Sequence, residues 1–488
     1  MLGPDFSRLS VRWVRPVSSP QPPRDVDRRT LLRAGGAVAF QALLAATAGA
    51  RQSSARRRFA GYGPLTAVAD DRTGLPLLRL PWGFRYVSFG WQGDPLTVGG
   101  TPTPGKHDGM GVITPGPIVT LVRNHEVHGV NTSFGPPALT YDPNGGAGAT
   151  RLTFDTVTGE WLTSEIGLAG TAASCAGGVT PWGSWLTCEE TIAYPFQGYG
   201  RTHGWVFEVP AAGAAQPVAF EDMGRFRHEA VCVDPATSCI YETEDDRYTS
   251  GFYRFRPLVT QPAVDLAAGG TLEMLKVQGV MNADLQLVTA GQSFPVEWVP
   301  IADPRLAPQS GVGPFGSNDG QTTEASGPFV QGDALGGARF RRLEGCWFDE
   351  PEQRIYLVDT EGGLAQRGTI WRYDPLTELI EVLYASPGAR VLDKPDNITV
   401  SPRGGVLFCE DGSQERQRLH ALSAAGQLSV FAENNVVLNG EVNGLSGNYR
   451  DSEWAGACFD PTGQWLFVNV FSPGITFAIT GPWTRGPL

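Results

Sequence analysis

The stretch CAGGVTPWGSWLTCEE, residues 175–190, opens on a cysteine and closes on two adjacent glutamates. Neighbouring carboxylates at a strand end repel each other unless a positive charge sits among them. The same arrangement occurs six times along the chain: a ligand-competent polar residue, a strand, a turn, a second strand, another polar residue. It runs from Asp108 to Asn124 and Glu126, from Cys175 to Glu189 and Glu190, and from Glu229 to Glu244 and Asp245. It returns from Glu344 to Asp359 and Glu361, from Asp396 to Glu410 and Asp411, and from Glu453 to Asn469. The first closing residue lies 14 to 16 residues after the opening one in every unit. Two strands of about five or six residues and a short turn fill that span, so both polar ends return to one level.

One acid after a strand is ordinary turn chemistry. Six repeats in which Glu predominates are not, because Glu is a poor turn former. Carboxylates converging on one mouth require bound cations, and an oxygen-rich set with Asn suits hard ions such as Ca²⁺. Cys175 adds a single soft ligand, fit for iron or zinc, ahead of glycines that let backbones approach closely. Cys188 and Cys409 fall on the opposite strand face by alternation, and Cys232, Cys346 and Cys458 lie within first strands as core. His107, His125 and His228 are expected to hydrogen-bond loop backbone and are left out of the ligand set. Arg342, two residues before Glu344, is either an ion-pair partner for a mouth acid or a bidentate grip for an oxyanion.

Strands must carry these residues. The chain has 62 Gly, 38 Pro and 13 Trp in 488 residues, a composition of short strands and tight turns. Hairpins recurring at propeller-blade spacing, with further strand-like runs such as GWVFEVP and GFYRFRP between them, predict an all-β six-bladed propeller. The long gap before the fourth unit makes residues 257–340 an inserted, cap-like segment of loops. A formal net charge of −12 argues against a nucleic-acid partner.

The basic residues concentrate in the first 60 positions, which hold 11 Arg against three acids. Paired Arg28 and Arg29, a small-residue apolar stretch and Ala48-Gly49-Ala50 resemble a twin-arginine signal peptide over residues 1–50. Residues 51–74 read as a linker and 75–488 as the mature domain. No stretch is expected to span a membrane stably. Such a leader implies passage through the twin-arginine translocase to the periplasm or beyond, as a folded monomer. Cys232 and Cys239 flank a turn and are candidates for a disulfide there.

Taken together, NHE at 124–126, CAGGVTPWGSWLTCEE, GRFRHEA at 224–230, YETED at 241–245 and RRLEG at 341–345 resemble the PhoX alkaline phosphatases. DNITVSPRGG at 396–405, CED at 409–411 and SEWAGACFDPTG near the end extend the resemblance. It implies a secreted phosphomonoesterase with a cluster of Fe³⁺ and Ca²⁺, acting on small phosphate esters through an oxygen held on the metals. It implies Cys175 as the thiolate to iron. It implies Glu229, Glu244, Glu344, Glu189, Glu190, Asp396, Glu410, Glu453, Asn124 and Glu126 as metal ligands. Arg342 and Glu344 would be the catalytic pair, Arg342 holding the substrate phosphate. Ser174 and Leu343 stand where the family has Asn and Pro, which leaves the ligands in place with altered support. The alternatives are a calcium-dependent lactonase or esterase propeller, and a non-catalytic propeller that calcium merely fastens.

Overall fold

Six antiparallel hairpins begin where the carboxylate units begin. The computed structural model describes residues 61–310 and 324–488. The inner strands are His107–Val112, Ser174–Val179, His228–Val233, Leu343–Asp349, Pro395–Val400 and Trp454–Phe459. Their return strands are Ile118–His125, Ser184–Glu189, Ile240–Glu244, Arg354–Asp359, Val406–Glu410 and Trp465–Val470. Each inner strand packs against the inner strands of two neighbours, and the sixth meets the first. That ring is the six-bladed propeller expected from the repeat.

Outer strands complete the blades. Blade 1 adds Ala147–Asp155 and Glu160–Thr171, whereas blade 2 stops at three strands with Val206–Pro210. Blade 6 takes its fourth strand, Arg85–Phe89, from far earlier in the chain, pairing Arg85 with Thr480 and Phe89 with Thr476. This pairing closes the circle, since a propeller left open would expose two blade faces to water. Buried aromatic side chains fill the spaces between blades. Trp185 packs with Val122 and Leu168 of blade 1, and Tyr373 of blade 4 meets Tyr241 of blade 3 with ring centroids 5.6 Å apart. A large apolar side chain removed from water in this way contributes about 1.5–3 kcal/mol.

Two expected boundaries move. Residues 61–74, read as linker, belong to the folded unit: Leu65–Val68 pairs with Leu78–Pro81 on the edge of blade 5. The Tyr62 hydroxyl also donates to the carbonyls of Trp483 and Leu488. The segment 257–340 is not simply a cap. It supplies the fourth strand of blade 3, Asp265–Val277, and then Ser293–Pro300, which pairs with both that strand and Leu379–Ala385 of blade 4. The paired arginines and the rest of the leader lie outside the described residues.

All six hairpins share one irregularity. The register slips between His107 and Met110, Ser174 and Gly177, His228 and Val231, Leu343 and Cys346, Pro395 and Ile398, and Ala455 and Cys458. Each slip sets two inner-strand residues against one on the return strand, a β-bulge that re-aims a side chain. Asp108, Cys175, Glu229, Glu344 and Asp396 are the first residues of the first five bulges. The next residue must often be small: a Cβ on Gly345 would stand 2.5 Å from the Asp396 carbonyl oxygen of blade 5.

Candidate metal centre

A second ring of acids lies one residue beyond the return strands. Glu126, Glu190, Asp245 and Asp411 follow the strands of blades 1, 2, 3 and 5, and Glu453 enters from the approach to blade 6. Their backbone N–H groups repeat one bond. Glu126 donates to Lys106, Glu190 to Ala173, Asp245 to Arg227, and Asp411 to Lys394, as Thr360 does to Arg342 in blade 4. Lys106, Ala173, Arg342 and Lys394 take positive φ at that point, between 47° and 62°. The fold holds each in this costly conformation to turn the chain into the bulge.

Bulge residues and follow-on acids meet in three groups whose ligand atoms lie within 4.8 Å of one another. Cys175 stands with Glu190 and Glu229, Glu126 with His128 and Glu190, and Asp396 with Asp411 and Glu453. Glu190 joins the first two groups. The Cys175 thiol is 2 % exposed and its sulfur is 3.2 Å from the His228 carbonyl oxygen.

Burial pushes Asp108, Glu190, Glu229, Glu344, Asp411 and Glu453 above the usual carboxylate range, and Asp396 up to about 7. The neighbouring carboxylates add to it in most of these. Asp108 is further raised by Glu126, Glu229, Asp396 and Glu453, and Glu190 by Asp245 and Glu126. Burial, then Glu229 and Glu190, raises the Cys175 thiol as well. Such a site either takes up protons or binds cations.

Arg342 is the guanidinium set among these acids. It donates Nε and Nη2 to Asp245 at 3.0 and 2.6 Å, and Nη2 lies 2.8 Å from Glu344 Oε1. Burial works against its charge, but Asp245 and Glu344 outweigh that and hold its pKa above the ordinary value. Its Nη1 takes no part in these contacts. Lys394 pairs instead with Glu361 at 3.2 Å, and Arg227 with Asp246 at 2.9 Å.

Several residues expected as ligands are placed elsewhere. Glu189 accepts from the N–H groups of Ala172, Gly204 and Trp205, with His203 Nδ1 2.7 Å from Oε1. Glu244 accepts from Tyr253 Oη at 2.6 Å, and burial raises its pKa to about 8. Glu410 is held by Arg418 on both oxygens. The three are buried within or between blades, not at the mouth. Asn124 donates to the carbonyls of Cys175 and Ala176 and accepts from Trp185 Nε1. It braces the blade 2 bulge, with its amide nitrogen and oxygen both engaged in hydrogen bonds between blades. Conversely Asp108, Asp245, Asp411 and His128 stand at the centre but were not in the expected ligand set. His107, His125 and His228 are each set against a loop carbonyl oxygen at 3.0 Å, as read from the sequence.

An oxygen-rich donor set with one sulfur, inadequately neutralised by Arg342, fits multivalent cations. Glu344 Oε1 is buried 2.8 Å from Arg342 Nη2, a single positive charge set against a ring of carboxylates. The fold and this mouth define a β-propeller with a polyanionic axial centre. A family model described as alkaline phosphatase PhoX matches residues 144–474, and the chain belongs to that family. It is accordingly an enzyme of the alkaline phosphatase class. No curated protein matches the chain by sequence. The structure of Pseudomonas fluorescens PhoX in complex with vanadate, a transition state analogue, is 16 % identical. The match covers 88 % of this chain and 99 % of that one, with a TM-score of 0.59, and shows a shared fold. A gluconolactonase from Xanthomonas campestris is 15 % identical over 87 % of this chain and 99 % of its own, at a TM-score of 0.41.

Proposed function

We propose that the mouth holds a calcium–iron centre at which the protein releases inorganic phosphate from small phosphate monoesters. The observation that carries this reading is the thiol of Cys175 within 4.8 Å of the carboxylates of Glu190 and Glu229, among further acids. A purely calcium-fastened propeller has no use for a sulfur at that point, because calcium takes oxygen ligands. Cys175, Glu190 and Glu229 would hold iron through the sulfur-bearing group, and the all-oxygen group Asp396, Asp411 and Glu453 would hold calcium. Bound there, such cations draw charge from phosphate oxygens and supply hydroxide near neutral pH.

The chain's own residues orient the ester. Asp245 and Glu344 fix the plane of the Arg342 guanidinium and leave Nη1 for a phosphate oxygen. The remaining surface beside Glu190, a cavity of about 370 Å³ reaching Tyr199 and Arg227, accepts the alcohol portion. The leader with Arg28 and Arg29 supports export through the twin-arginine translocase, which carries folded proteins, into the periplasm or beyond. Among the described residues no helix is long and apolar enough to cross a membrane.

The test combines elemental analysis of natively exported protein with hydrolysis of para-nitrophenyl phosphate before and after calcium chelation. Iron and calcium in the protein, with activity lost on chelation and restored by Ca²⁺, is the expected result. Protein without iron whose activity survives chelation would overturn it. Full activity in Cys175→Ala would favour an iron-free esterase.

A further inference from the structure

Cys232 and Cys239 do not face each other: Cys232 pairs in register with Tyr241. The sulfur that Cys232 meets belongs to another blade. Its Sγ lies 3.1 Å from Sγ of Cys346, closer than the roughly 3.5–4.0 Å at which unbonded carbon atoms rest. Cys232 is on the inner strand of blade 3 and Cys346 on that of blade 4, two strands packed side by side. Both side chains are nearly buried, at 4 % and 3 % exposed. Both nonetheless line a cavity of about 370 Å³, bounded also by Val112, Pro181, Val400 and Pro461 toward the far ends of the inner strands. A small reagent can therefore approach them from the side opposite the acidic mouth.

We propose that Cys232 and Cys346 are a modification site, forming a disulfide that ties blade 3 to blade 4 when the folded protein meets a disulfide oxidant. One cysteine thiolate attacks a sulfur of the oxidant, expelling one oxidant thiolate and leaving a mixed disulfide. The second cysteine thiolate attacks the protein sulfur and expels the other oxidant thiolate. Two protein thiols are oxidised, two electrons reduce the oxidant's S–S bond, and the two protons leave on its thiols. The bond encloses residues 233–345 and joins strands that carry Glu229 and Glu344 a few residues away. Closing so long a loop restricts the unfolded chain and stabilises the folded one.

The experiment treats the reduced, folded protein with bis(2-hydroxyethyl) disulfide, then denatures it in N-ethylmaleimide for mass spectrometry. Two of the seven cysteines should escape alkylation until a reductant is added, and a linked peptide should contain Cys232 and Cys346. The Cys239→Ser variant should form the same bond. The oxidised protein should unfold several degrees above the reduced one, a difference absent from the Cys232→Ser/Cys346→Ser variant. Alkylation of all seven thiols, stable hydroxyethyl adducts on both cysteines, or a different pairing would overturn the proposal. Should the double variant fail to fold, the linked peptide from the unmodified protein decides alone.

Discussion

Asn124 of blade 1 holds the backbone of Cys175 in blade 2, donating from Nδ2 to the Cys175 and Ala176 carbonyls at 2.9 and 2.8 Å. The same device recurs around the ring. Thr243 donates to the Glu344 carbonyl, Asn397 accepts from Gly456 N–H, and Asn469 donates to the Asp108 carbonyl. Bulged backbone groups cannot satisfy one another along their own ladder, so side chains of neighbouring blades do it. Asn124→Ala should cost about 2–4 kcal/mol, since it strands two buried carbonyls and the Trp185 indole N–H. Urea unfolding measures the loss, and iron content should fall with it although no ligand has changed.

Glu410 and Asp411 are neighbours with opposite roles. Glu410→Gln should destabilise the protein by about 3–5 kcal/mol, because it leaves Arg418 partly buried without its carboxylate. Asp411→Asn should leave stability of the metal-free protein unchanged or raised, by relieving repulsion with Asp396 and Glu453. Its bound calcium should fall instead. Thermal unfolding with and without chelator separates the two outcomes.

The blades were legible because each hairpin returns its chemistry to one level, a consequence of strand length alone. Which acid of an adjacent pair reaches the mouth was not. Strand alternation places Glu189 opposite Cys188 in direction, but it says nothing of Glu190, which lies past the strand and turns with the chain. The bulge adds the second uncertainty, since one extra residue resets the facing of the inner strand. Glu189 is paired in register with Ser174, the residue before the bulge, and points toward the backbone N–H groups at Gly204 and Trp205. The same reading would have chosen Asp245 over Glu244 and Asp411 over Glu410. Glu453 was found by spacing, although its strand begins at Trp454 and the position equivalent to the bulge acids is Gly456.

Cys175→Ser should fold, since the side chain is similar in size and stays beside the same carbonyls. A serine hydroxyl is a harder, less acidic donor than a thiol, so iron should drop while calcium is largely retained. Iron and calcium measured on one sample decide this. Equal loss of both would mean that Cys175 supports the fold of the mouth, not one ion.

The acids at the mouth give the metal-free protein a reversed pH dependence. Asp396 has a pKa of about 7 in the folded state, above the ordinary carboxylate value of the unfolded chain, with Asp108, Glu229, Glu344 and Glu453 also raised. Between these values the folded state binds more protons than the unfolded one. The Asp396 contribution is therefore full below about pH 4 and is lost as pH rises through about 7, and the other raised carboxyls act in the same direction. Chelated protein should melt at a lower temperature at pH 8 than at pH 5.5. Added Ca²⁺ should raise the melting temperature more at pH 8, where fewer protons must be displaced.

Arg342 offers the sharpest separation of binding from folding. Its two nitrogens on Asp245 use the planar fork of a guanidinium, and the chain at this residue has a φ of 62°. Arg342→Lys keeps the charge but loses the fork, so the ammonium can face either Asp245 or a phosphate oxygen, not both in fixed geometry. The kcat/KM for para-nitrophenyl phosphate should fall about 10²–10³-fold, the usual cost of removing a preorganised donor to developing charge. Inorganic phosphate should inhibit the variant more weakly by a comparable direction, while metal content stays near that of the unmodified protein. A variant that keeps its kcat/KM would remove Arg342 from the substrate site and leave it as a partner of Asp245 and Glu344 alone.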